Sequence, residues 1–72
     1  MPLTLMVNGE TRVLDPAPDP ASLAAVVAFL VNNPQLVVAE HNGVIAPRRR
    51  WDSIVVKNDD TLEIVTIVGG GS

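Results

Sequence analysis

Two Asn-Gly dipeptides, Asn8-Gly9 and Asn42-Gly43, each stand between runs of strand-forming residues. Asparagine and glycine tolerate the positive φ angles of a two-residue hairpin turn, which makes this pattern the strongest short-range hairpin signal a chain can carry. Leu3-Thr4-Leu5-Met6-Val7 leads into the first turn and Glu10-Thr11-Arg12-Val13-Leu14 leaves it. Leu36 to His41 leads into the second, and Val44-Ile45-Ala46 leaves it. The fold must therefore contain two antiparallel pairs, and the segments around them decide how those pairs are joined.

Between the pairs, Asp15-Pro16-Ala17-Pro18-Asp19-Pro20 cannot continue a ladder, because proline has no N–H to donate; it predicts an exposed loop. Ser22 is a good N-cap for Leu23 to Val31, and Asn32-Asn33-Pro34 ends that segment. Leu23, Val26, Val27 and Leu30 recur at i, i+3, i+4 and i+7, the stripe of a helix packed on a sheet, with Ala24, Ala25 and Ala28 on the other side. Its three valines are poor helix formers, so a strand in its second half stays open. Phe29 lies off the stripe, at the edge of a core or as a partner-docking side chain. Beyond Ala46, Pro47 to Trp51 breaks the pattern and Ile54-Val55-Val56 predicts a brief strand. Lys57-Asn58-Asp59-Asp60 then turns, and Thr61 to Ile67 predicts the last strand. A hairpin, a crossover helix and further strands describe an α+β fold of the β-grasp type, a mixed sheet with one main helix across it. Residues 1–68 are expected to form this domain and 69–72 a flexible glycine tail.

At 72 residues the chain is one small domain, and with 47% hydrophobic residues it can still build a compact core. It has no cysteine, which excludes disulfides, thiolate metal sites and a cysteine nucleophile. Eight acidic residues against five basic ones argue against nucleic acid, whose phosphates need a positive footprint. Phe29 and Trp51 are too few aromatics for base stacking. No amino-terminal stretch reads as a targeting signal, and the apolar run from Leu23 to Val31 is too short to span a bilayer. A soluble cytoplasmic protein without a membrane partner is the expectation.

The side chains offer little catalytic chemistry. Arg48, Arg49 and Arg50 form the one basic cluster, either a solvated loop partly neutralised by Asp59-Asp60 or a docking patch for an acidic surface. Trp51 is expected to fold over the core as a lid. His41, the single histidine, has no second ligand or serine motif to make a metal site or a catalytic set, and reads as an ordinary strand residue. Asp59 and Asp60 are adjacent in a turn, not the facing carboxylates of acid/base catalysis. No phosphate-cradling glycine motif precedes a helix. What remains is the carboxyl end, Val68-Gly69-Gly70-Gly71-Ser72, where glycines lacking Cβ are slim enough to thread an enzyme channel. A plain Gly-Ser terminus is the simpler role for the same residues.

The stretch from Val38 to Trp51, with its Asn42-Gly43 turn, Ala46-Pro47-Arg48 and Trp51, resembles the thiazole-biosynthesis sulfur carrier family, ThiS. So do Asn58-Asp59-Asp60-Thr61-Leu62-Glu63-Ile64-Val65, the glycine end and the opening Val7-Asn8-Gly9-Glu10. The resemblance runs over most of the chain and implies a ubiquitin-like β-grasp without a bound cofactor or metal of its own. It implies that an E1-like adenylyltransferase of the ThiF type, using ATP and magnesium, adenylates a C-terminal glycine. Sulfur from a persulfide donor then makes a thiocarboxylate, which thiazole synthase of the ThiG type consumes. Gly70 and Gly71 are the implied acceptor sites, Val68 and Gly69 the tail that enters the partner, and the sheet face beside the last strand the docking surface. Arg48, Arg49 and Phe29 are further docking candidates.

The family ends at Gly-Gly, so Ser72 departs from it, and a glycine carboxylate is exposed only if Ser72 is removed. Ala46 stands where valine is more usual, a conservative change. Two rivals stay open: a carrier of the molybdopterin-synthase small-subunit type, and a β-grasp interaction module with a passive tail. Thr66-Ile67-Val68, without aromatic or proline residues before the glycines, favours the thiazole branch.

Overall fold

The computed structural model describes residues 1–67. Strands β1 (Leu3–Val7) and β2 (Glu10–Leu14) form the first hairpin, with Leu3 opposite Leu14 and Val7 opposite Glu10. Asn8 and Gly9 turn it at φ 51° and 82°, the region the dipeptide was expected to supply. Strands β3 (Val37–His41) and β4 (Val44–Ala46) form the second hairpin, turned by Asn42 and Gly43 at φ 52° and 84°. Strand β5 (Thr61–Thr66) lies between the two, parallel to β1 and antiparallel to β3. The sheet order is β2-β1-β5-β3-β4, so the last strand is the central one.

Helix α1 (Leu23–Leu30) makes the crossover between the hairpins. The Ser22 hydroxyl accepts a hydrogen bond from the Ala25 N–H at 3.1 Å, which satisfies one of the free donors of the first turn. The helix ends at Val31, whose extended backbone leads into Asn32-Asn33-Pro34. Val26 and Val27 do not make a strand, because burying Leu23, Val26 and Val27 on the sheet outweighs the low helix propensity of valine, while Val31 is extended beyond the helix end. Leu30 is partly buried against the same core. Facing the helix are Leu3, Leu5 and Val7 of β1, Leu14 of β2, Val37 and Ala39 of β3, and Leu62 and Ile64 of β5, the alternate positions a pleated strand turns to one side.

The brief strand expected at Ile54 to Val56 is reduced to a single bridge between Val55 and Ser22. The Leu23 N–H donates to the Ile54 carbonyl at 2.8 Å and the Val56 N–H to the Ala21 carbonyl at 2.8 Å. Pairing stops there because the opposing chain coils into α1 at Leu23, so no extended partner remains. Val56 is still buried and Val55 exposed, the alternation of a strand without its ladder. Arg48–Arg50 form one turn of 3₁₀ helix. Among the described residues, no helix is long and apolar enough to cross a membrane.

Candidate functional site

Every feature that bears on the carboxyl end is set by β5. Leu62 and Ile64 point into the core, while Thr61, Glu63 and Val65 point to the face that α1 does not cover. The strand is held on both sides. The Asn8 N–H donates to the Leu62 carbonyl at 2.9 Å, and where the main chain of β1 leaves for the hairpin, the Asn8 side chain takes over. Its Oδ1 accepts from the Ile64 N–H at 2.7 Å and its Nδ2 donates to the Ile64 carbonyl at 3.1 Å. An amide side chain thus stands in for the next ladder residue. On the other side, Val37 pairs with Thr66, and the Ile67 N–H donates to the Leu36 carbonyl at 2.6 Å. Ile67 is therefore the last described residue tied to the sheet by a backbone bond, and the glycines follow it in sequence.

On the open face, Val38 and Val65 are cross-strand partners, with Ile45 beside them on β4 and Ile67 beyond. Val65 and Ile45 are each 63% exposed, and Ile67 is 52% exposed. They continue into a shallow groove walled by Pro47, Arg48 and Ile67. Scattered exposed aliphatics need no explanation, whereas a contiguous exposed group is the kind of surface a partner covers.

The basic cluster does not form one patch. Arg48 Nη2 donates to the carbonyls of Pro34 and Val37 at 2.9 Å each, and its guanidinium lies 4.5 Å from the centre of the Trp51 ring. Arg48 thereby ties the chain before β3 to the turn after β4, while Arg49 and Arg50 are exposed. Neutralisation by the Asp59-Asp60 turn is not seen, because Asp60 is engaged elsewhere. Trp51 is 4% exposed and its Nε1 donates to the Ala46 carbonyl at 2.9 Å, the lid over the core that the sequence led one to expect. Phe29 is 54% exposed on α1, across the sheet from Val65, so the structure does not bring it together with the groove. Val68, Gly69, Gly70 and Gly71 lie outside the described residues.

The single ion pair among the described residues joins His41 Nε2 to Asp60 Oδ2 at 2.7 Å. Burial by itself raises the Asp60 carboxyl, but the hydrogen bonds from His41 and from the Lys57 N–H outweigh it and leave the group below its ordinary value of 3.8. With Asp59 at φ 71°, this pair fixes the turn that launches β5. His41 is therefore more than an ordinary strand residue, a role invisible in sequence because Asp60 is brought to it only by the β3–β5 pairing. Among the described residues, no group of three or more His, Cys, Asp or Glu side chains is placed to hold a metal ion.

A five-stranded mixed sheet with one crossover helix, and a central last strand that carries the carboxyl end, defines a ubiquitin-like β-grasp domain. The ThiS family profile matches residues 5–71, and the chain belongs to that family. The solved structure of thiamine biosynthesis protein ThiS from Geobacter metallireducens superposes with a TM-score of 0.79 at 30% identity, covering 96% of this chain and all 100% of that one. An uncharacterized protein, ycf40, of Trieres chinensis is 49% identical over 68 residues, which cover 94% of this chain and 89% of that protein. A thiazole synthase of Paramagnetospirillum magneticum is 31% identical over 70 residues, which cover 97% of this chain but 21% of that longer protein.

Proposed function

We propose that this chain is a sulfur carrier for thiamin biosynthesis, acted on by other enzymes. Support comes first from the family match over residues 5–71 on a fold whose central strand runs to the glycines. The thiazole synthase relative, in which a segment like this whole chain occupies 21% of the length, supports thiazole synthase as a partner.

In this reading the carboxylate of Gly71, freed of Ser72, or of Gly70, freed of both Gly71 and Ser72, attacks the α-phosphorus of ATP in an E1-like adenylyltransferase, and pyrophosphate leaves. The resulting acyl adenylate is an activated mixed anhydride, so a persulfide on the donor displaces AMP and forms an acyl disulfide. A thiol cleaves the S–S bond, is oxidised to a disulfide, and leaves sulfur on the carrier as a thiocarboxylate for thiazole synthase. The carrier itself supplies position: β5 is clamped by Asn8 and by Val37, so the terminus is presented from a rigid base. Val68 and Gly69 lead the tail into each partner, and the face around Val65 docks against them. Arg49, exposed and next to Arg48 in the chain, lacks the carbonyl bonds that hold the Arg48 guanidinium in place and so offers its charge to an acidic partner surface. Phe29 is left for a contact on the helix side.

The test is intact mass of the untagged chain from its own cells, with fragmentation of the carboxyl end. A chain ending in glycine with sulfur in place of one oxygen supports the reading. Unmodified chains ending at Ser72, even when thiamin is withheld, overturn it in favour of a passive interaction module.

A further inference from the structure

Glu40 and Glu63 are Cα partners across β3 and β5, both on the face α1 leaves open. Side chains directly opposite on one face have Cβ atoms about 4.5–5.5 Å apart, and like charges there oppose folding. Neither carboxylate forms an ion pair among the described residues. The next pair on the same face of that ladder is Val38 and Val65, and the other cross-strand neighbour of Glu40 is Ile45. The two acids therefore close one end of the exposed apolar patch, and Ile67, where β5 has ended, marks the other.

We propose that Glu40 and Glu63 form the specificity end of the docking face: they receive one arginine or lysine of a partner protein whose apolar side chains cover Val38, Val65, Ile45 and Ile67. Charge complementarity selects this occupant. A cation placed between the acids turns their repulsion into two attractions, and a guanidinium fork can take an oxygen from each. An anionic membrane or a nucleic acid would meet the acids with like charge. The inference deepens the carrier reading and rests on it. It also sets a distance: Ile67 lies four residues beyond Glu63, about 13 Å at the rise of extended chain. The partner's cation therefore lies about that far from the mouth of the channel that admits the glycines.

The experiment compares the wild-type sequence, the double variant Glu40→Gln/Glu63→Gln and Val65→Ser, each prepared to end at Gly71 and at Gly70, as substrates of the organism's own E1-like adenylyltransferase, at low and high salt, with Tm measured in parallel. The double variant should melt at the same or a higher temperature, because repulsion is relieved. Its KM should still rise about tenfold at low salt with kcat unchanged, and the gap should close at high salt. Val65→Ser should raise KM at both salt concentrations. A double variant with wild-type KM overturns the inference while leaving the carrier reading intact, whereas a wild-type chain that is never adenylated overturns the carrier reading itself. A wild-type dimer that the double variant abolishes overturns this occupant in favour of a second copy of the chain.

Discussion

Replacing Asn8 should reveal how much of the central strand depends on one side chain. In Asn8→Ala, two hydrogen bonds to Ile64 are lost, and the N–H and C=O of a residue only 9% exposed are left without those partners. Each bond is worth about 0.5–1.5 kcal/mol net, and more where the orphaned group stays dry. Alanine must also adopt φ 51°, a left-handed conformation that costs a residue with a Cβ about 1 kcal/mol. The sum is about 2–4 kcal/mol, a large part of the roughly 4–11 kcal/mol typical for a domain of this length. Urea unfolding, followed by the fluorescence of the buried Trp51, should show a midpoint lower by about 2–4 M at the slope of about 1 kcal/mol/M expected for so small a domain. Asn8→Gly removes the bonds but not the conformational freedom, so it should fall between alanine and wild type. Asn8→Asp keeps the acceptor for the Ile64 N–H and loses the donor, and should also be intermediate. An alanine variant within about 0.5 kcal/mol of wild type would refute the clamp, and a glycine variant as stable as wild type would assign the whole effect to the turn.

Other outcomes follow from the same geometry. Trp51→Phe strands the Ala46 carbonyl and shrinks the ring beneath Arg48, and should cost about 2–3 kcal/mol by thermal circular dichroism; a loss under 1 kcal/mol would mean the indole N–H is dispensable. Because the folded Asp60 pKa is depressed, its contribution is present above the ordinary value of 3.8 and lost as pH falls through the lower folded value. Asp60→Asn should therefore be less stable than wild type at neutral pH, with the difference shrinking on acidification; a pH-independent difference would exclude the carboxylate as its source. Gly70→Val, beyond the end of β5, should slow adenylation while leaving Tm unchanged, and adenylation at the normal rate would remove the steric reason for glycine. Arg49→Glu should weaken partner binding in a salt-sensitive way, whereas unchanged affinity at low salt would make Arg49 a solvated side chain.

Much of this fold is written in local signals. The two Asn-Gly turns, the Ser22 cap, the proline loop and the Leu23, Val26 and Val27 stripe each act within a few residues, and each does in the structure what its chemistry requires. The order of these elements suffices for a β-grasp, because short right-handed connections leave few other ways to bury one helix face on a sheet. Ile54 to Val56 shows the limit, since its strand-forming side chains cannot reveal that the opposing chain becomes a helix after one bridge.

Features that depend on pairing between distant segments were not legible. Asn8 meets Ile64, His41 meets Asp60, and Arg48 reaches Pro34 and Val37 only after the sheet has assembled. The face-to-face placement of Glu40 and Glu63 likewise comes from the β3–β5 register, because a one-residue slip would send one of them to the core side. The sequence by itself determined the elements, the absence of cysteine chemistry and the glycine end. Tertiary structure alone decided that the strand leading to that end is central and clamped, that Arg48 is bound to Pro34 and Val37, and which side chains share the open face, because these are set by register and packing between segments far apart in the chain.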